Sequence, residues 1–228
     1  MYTQTTRRIY PDPSARPHVP ALVSVDETPS SVLAMRLGTA GLSLGAAVRW
    51  GSESACASML ERRPAMILLD AHSTEAGGLV GLVRAASLVA PVAILRHEGR
   101  DALAAFSAGA VNVLDRQAPA AELAWRIRAN LRRCPPVPPP PAYPQRTASQ
   151  RLLFHVIAQA QGPVCCHDLR LLLGTPSLPL TLRALRARIQ RLLPHFADHG
   201  LALVVDGQWG LVTYQTRSAD APGAGERP

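Results

Sequence analysis

The chain has 228 residues, of which 18% are charged and 4% aromatic, and it carries a formal net charge of +8. That length suits two ordinary domains, and no stretch approaches the ~20 apolar residues that cross a bilayer, so a helical membrane protein is excluded and no membrane partner is expected. Every basic side chain apart from histidine is an arginine, permanently charged and matched to phosphate oxygens, and the excess is densest over residues 150 to 217, which places a nucleic-acid partner with the second half.

Residues 1–20 are polar and proline-bearing, lack an apolar core of signal-peptide length, and are expected to form the disordered tail of a cytoplasmic protein. Cys56, Cys134, Cys165 and Cys166 show no C-x-x-C spacing, which suits a reducing compartment and argues against a zinc site. From 21 to 133 short apolar runs alternate with helix-like stretches. The runs are ALVSV, AAV, AMILL, PVAIL and AVNVL; helices are expected near 30–44, 53–63, 78–88, 100–108 and 119–133. Unbroken apolar runs suit strands covered on both faces, so this segment predicts an α/β fold, flavodoxin-like and doubly wound, around a five-stranded parallel sheet.

Asp26 and Glu27 close the first strand and Asp70 closes the third. With strand order 2-1-3-4-5 these ends are neighbours, and the three carboxylates converge beyond the carboxyl edge of the sheet. Such a cluster repels itself unless a cation enters. Mg²⁺ is the ion suited to hard oxygen ligands, and a carboxylate beside it can accept a phosphoryl group. Residues 21–133 resemble the receiver domain of bacterial response regulators in VDE after the first strand, LLDA after the third, Gly78 eight residues past Asp70, PVAIL, and AGAVNVL. The resemblance implies a phosphoacceptor position at Asp70, with Asp26, Glu27 and Asp70 as Mg²⁺ ligands.

The resemblance also implies a switch that this sequence lacks. Arg96 stands where a small hydroxyl is expected, Arg116 replaces a lysine, Gln117 the proline after it, Val113 an aromatic, and Thr74 a proline. Three carboxylates then face two arginines, and Arg96 is expected to fill the space of metal and phosphate. The acidic pocket of Asp26, Glu27, Asp70, Arg96 and Arg116 becomes a structural ion network that requires no cofactor. His72 and His97, near the same loops, are read as solvated.

The segment 134–149 opens with CPPVPPPPAYPQ, where consecutive prolines favour an extended linker between two domains. Beyond it, over 150–216, QRLLFHVIAQA and DLRLLLG read as helices and LTLRALRARIQRLL as a third. LALVVDGQWGLVTY reads as a hairpin around Asp206 and Gly207, and 217–228 as a second disordered tail. Three helices and a terminal hairpin describe a small winged helix-turn-helix domain. In the third helix Leu182, Leu185, Ile189 and Leu192 face the core, leaving Arg183, Arg186 and Gln190 on one flank and Arg188 and Arg191 on another. With Thr181 these are the candidate contacts to double-stranded DNA.

This half resembles the winged-helix effector domain of the osmoregulator and phosphate-regulon families, in L-x-x-L-R at Leu182 to Arg186 and in Gly207 and Gly210 of the hairpin. Asp206 replaces the wing's expected basic residue and Leu211 a tyrosine, which weakens contact with the minor groove. The two resemblances together imply an atypical response regulator, a DNA-binding transcriptional regulator acting without conventional phosphorylation. Its receiver half would form a homodimer, through Val111, Val113 and Trp125 beside Arg126, or dock a sensor kinase or RNA polymerase component. The alternative is a signalling adaptor whose winged helix binds protein instead of DNA. Apart from Asp70 no nucleophile-base pair is recognisable, and enzymatic turnover is not expected.

Overall fold

A computed structural model describes residues 19–26, 30–61, 64–71, 74–96, 101–134, 146–208 and 211–219. The proline run of the linker, Glu27, His72, His97, Gly210 and the expected tails apart from residues 19–20 and 217–219 lie outside the described residues; Arg217 and Ser218, expected in the second tail, pair in the last strand, and Ala148 and Ser149, expected in the linker, open a helix.

In the first half the expected alternation is realised: β1 (Ala21–Ser24), α1 (Ser31–Thr39), β2 (Val48–Arg49), α2 (Glu53–Glu61), β3 (Ile67–Asp70), α3 (Ala76–Ser87), β4 (Val92–Arg96), α4 (Ala102–Ser107), β5 (Ala110–Asp115) and α5 (Ala120–Leu131). The strands pair in parallel in the order β2-β1-β3-β4-β5. Because β1, β3 and β4 are buried along their whole length, successive residues feed opposite faces. Leu22, Leu68, Ala93 and Leu95 pack under α1 and α5 with Leu33, Leu37, Leu123 and Ile127. Val23, Ile67, Leu69, Val92 and Ile94 pack on the other side with residues of α2 and α3. The first helix stops at Thr39, earlier than the sequence suggests, where Gly41 at φ 74 turns the chain.

The second half contains α6 (Ala148–Gln159), β6 (Val164–Cys165), α7 (Cys166–Leu172), α8 (Leu182–Gln190), α9 (Leu193–Asp198), β7 (Leu201–Gln208) and β8 (Leu211–Ser218). This is the element order of a winged helix, with two additions. The stretch read as one helix through Leu193 is two, because Pro194 has no amide proton to extend α8 and instead sits in the first turn of α9. A short strand, β6, joins the hairpin to give a three-stranded antiparallel sheet in the order β6-β8-β7.

The two halves share one buried cluster, so the proline-bearing linker leads into a docked unit. α2 packs on α6 and α3 on α7. Trp50, 1% exposed, donates its indole N–H to Leu171 O at 2.9 Å. Arg84 pairs with buried Asp168 at 3.2 Å, and Glu53 Oε1 accepts from the amide of Ser149 at 3.1 Å. Gly51 is required at this seam: its φ is +73, and a Cβ there would stand 2.2 Å from the carbonyl oxygen of Gly174.

Candidate functional site

Parallel pairing of β1 with β3 puts Ser24 opposite Asp70, and the amide of Val25 donates to Asp70 O at 3.0 Å. The carboxyl ends of both strands therefore meet, with Asp26 just beyond. The Asp70 carboxylate is fully enclosed. Arg116 Nε donates to its Oδ1 at 2.9 Å and to its Oδ2 at 3.2 Å, and Ser30 Oγ donates to Oδ2. Ser30 occupies the N-cap position of α1 yet makes no side-chain cap bond, because its hydroxyl is given to Asp70. The positive end of α1 thus also faces the buried charge.

Arg96 does not fill this pocket as the sequence suggests. Its Nη1 donates to Ala71 O at 3.0 Å and Thr74 O at 2.5 Å, and its Nη2 to Asp101 Oδ2 at 2.9 Å. From the end of β4 the guanidinium finds the carbonyls of the β3–α3 loop and its own counter-ion. The longer reach across from the end of β5 falls to Arg116. Of the two arginines expected in the pocket, Arg116 pairs with Asp70 and Arg96 is engaged beside it. Ser30 and Asp101 were absent from the expected set. Ser30 was legible only as a helix-start residue, and Asp101, at φ 60, carried no sequence signal.

A Mg²⁺ ion would need an Asp70 oxygen directed at it. Both oxygens already accept from a guanidinium, one also from a hydroxyl, and no cluster of metal-binding side chains occurs among the described residues. Of the three expected ligands, Asp70 is engaged by Arg116 and Ser30, and Glu27 lies outside the described residues.

The second candidate surface is α8. Thr181 caps it, Oγ1 accepting from the amide of Ala184 at 3.2 Å. Leu185 and Ile189 are buried, while Arg183, Arg186, Gln190 and Arg191 are exposed. Arg188 differs from the expectation. It is half-buried, one terminal nitrogen is shut off from solvent, and it lies within electrostatic reach of Cys56 on α2. A guanidinium held at that seam is withdrawn from the exposed flank. In the hairpin Asp206 is exposed opposite Thr213.

A third surface wraps the edge strand β5. Leu103 and Phe106 on α4, Val111 on β5 and Trp125 on α5 are exposed, Leu103 to 82% and Trp125 to 65%. Val113, expected with them, is half-buried against the core. Arg126 is engaged by Glu122 at 2.7 Å.

No protein-family model and no curated protein matches the chain. Among solved structures it is similar to the response regulator DrrB of Thermotoga maritima, described as an OmpR/PhoB homologue, at 15% identity and a TM-score of 0.35, over 86% of this chain and 97% of that one. It is similar to a protein from streptococci described as a redox sensor evolved from two-component response regulators, at 13% identity and 0.35, over 88% and 99%. A CheY-like protein, TadZ of Pseudomonas aeruginosa, shares 22% identity at 0.37 over 48% and 97%. The strand order and register define a flavodoxin-like, doubly wound fold without these similarities.

Proposed function

We propose that the protein is a DNA-binding transcriptional regulator built like a response regulator, in which the receiver half serves as an internally paired scaffold for dimerisation or docking. The observation that carries the reading is α8: a capped helix that buries Leu185 and Ile189 while presenting Arg183, Arg186 and Arg191 to solvent. Arginines in that arrangement can read guanine edges and clamp phosphates. Conventional phosphorylation of Asp70 is unnecessary to this reading, because its carboxylate already holds the guanidinium and hydroxyl that a phosphoryl group and metal would have to displace. The apolar residues around β5 suit a second copy of the chain, with a sensor kinase or RNA polymerase component as the other docking partners.

The test is duplex binding by the full chain before and after treatment with acetyl phosphate and Mg²⁺. Unchanged affinity, with no labile phosphate on the protein, supports the reading. A phosphate that is lost in Asp70→Ala and that alters affinity overturns its phosphorylation-independent part.

Exposed Asp206 in the hairpin favours a second reading, an adaptor whose winged helix binds protein. Replacing Arg183, Arg186 and Arg191 with alanine separates the two, since an adaptor keeps its partner and a DNA reader loses its duplex.

A further inference from the structure

The terminal hairpin leaves one of its edges open. Two residues of sequence separate Gln208 from Leu211, so that pair exchanges its own amide bonds, and by alternation Asp206, Val204 and Ala202 also bond to β8. The N–H and C=O groups of Leu201, Leu203, Val205 and Gly207 then point away from β8. On β8 the equivalent outward groups, at Tyr214, meet Val164 of β6. On β7 they have no strand beside them among the described residues, because β7 ends the order β6-β8-β7.

Proteins blunt such an edge with proline, lysine or a bulge. This one, LALVVDGQ, has none of them, and its one charge is Asp206. Its apolar residues are also incompletely covered: Val205 is 57% exposed and Leu203 half-buried, both on the side that faces α8. On the opposite side Ala202, Asp206 and Arg217 are all exposed, and Ala202 lies directly across from Arg217.

We propose that β7 pairs antiparallel with β7 of a second copy, about a twofold axis through Val204, joining the two hairpins into one continuous sheet. In that register Leu203 meets Val205 of the other copy and Leu201 meets its Gly207, so the outward groups of all four residues find partners. Leu203 also covers the exposed side chain of the other copy's Val205. Asp206 falls beside Ala202 of the other copy instead of beside a second acid. Beyond that small side chain lies Arg217, about 10 Å from Asp206 between Cα atoms, a gap that the long guanidinium side chain closes over a methyl group. The twofold axis repeats this match at both ends. A shift of two residues would set Asp206 against Val204 or Gly200 and leave outward groups unpaired at one end. The pairing is defined without reference to DNA. Resting on the DNA-binding reading, both α8 helices lie on the same side of the joined sheet, because paired residues share a face, and they meet one duplex as a twofold-related pair.

Analytical ultracentrifugation of the full chain over a concentration series tests the pairing, and a monomer–dimer equilibrium is expected. Val205→Pro removes an amide that no residue of the same chain uses, so it should leave the circular dichroism unchanged and the protein monomeric. Asp206→Arg should weaken the dimer about tenfold, and adding Arg217→Asp should restore it. Val111→Arg, on the apolar rim at β5, should leave the dimer intact. A chain that is monomeric throughout, a dimer that Val205→Pro leaves intact, or one lost only in Val111→Arg overturns the pairing. Failure of Arg217→Asp to restore the dimer overturns the register. If Val205→Pro does not fold, the charge exchange, made at two exposed positions, decides by itself. Two chains per duplex, reduced to one in Val205→Pro, support the twofold presentation of α8. An unchanged stoichiometry overturns that presentation alone, whereas failure of the duplex to bind counts against the DNA-binding reading and leaves the pairing standing.

Discussion

A carboxylate shut away from water is tolerable only while its charges are matched. Asp70 is matched by Arg116, itself a quarter exposed, and by Ser30. Removing the cation leaves a buried anion that has lost its guanidinium, whereas Asp70→Asn leaves an arginine that can turn to solvent. Arg116→Ala should therefore lower stability by about 3 kcal/mol in urea denaturation, and Asp70→Asn by clearly less; equal losses would contradict the pairing. Cys56 illustrates the opposite treatment of a titrating group. Burial, with Glu53 adding to it and Arg188 opposing, pushes its thiol up to about 12 from 9.0. The folded state holds the proton that the unfolded chain releases first, so this contribution to stability is complete below pH 9 and is lost as pH rises toward 12. Iodoacetamide at pH 8 should leave Cys56 unmodified in the native protein and alkylate it after denaturation, as peptide mass spectrometry would show. Asp70 was legible from four apolar residues running into an acid before a glycine pair. Which arginine would meet it was not, because Arg96 and Arg116 end adjacent strands and only backbone geometry decides which carbonyls or carboxylates each can reach.

Elements differ in how plainly their sequences declare them. The apolar runs that became β1, β3 and β4 are unambiguous because both of their faces are covered. β6 has two residues, too few to show a period, and exists only because β8 offers an edge at Tyr214 and Thr213. Pro194 announced the break between α8 and α9 by its chemistry, yet the leucine and arginine spacing on either side runs through it as if unbroken. The seam between α2–α3 and α6–α7 left no periodic signal at all, since Trp50 and Gly51 look like ordinary loop residues until Leu171 and Gly174 are set against them. Trp50→Phe keeps most of the ring but strands the Leu171 carbonyl, so a loss of about 1–2 kcal/mol is expected. Gly51→Val forces a side chain into a backbone oxygen at a left-handed position. It should split a single thermal unfolding transition, followed by calorimetry, into two; one undisturbed transition would show that the halves do not depend on this contact.

At the scale of the whole molecule, the sheet carries a paired aspartate at its carboxyl edge and an apolar rim at β5, and its α2–α3 face is the bed for the basic second half. The linker's composition pointed to two independent bodies, but apolar burial at the seam joins their cores, a contact between distant segments that no local pattern encodes. The consequence for function is that α8 is presented from a fixed platform, with Arg188 turned inward and Arg183, Arg186 and Arg191 outward. The most direct measurement is the affinity of the full chain for duplex DNA across a salt series, compared with the Arg183→Ala, Arg186→Ala, Arg191→Ala triple variant. Each phosphate neutralised contributes roughly −0.9 to the slope of log affinity against log salt. The account predicts binding at low salt with a steep negative slope that becomes shallower by about two to three in the variant. Absence of binding at low salt, or the same slope in both proteins, would contradict it.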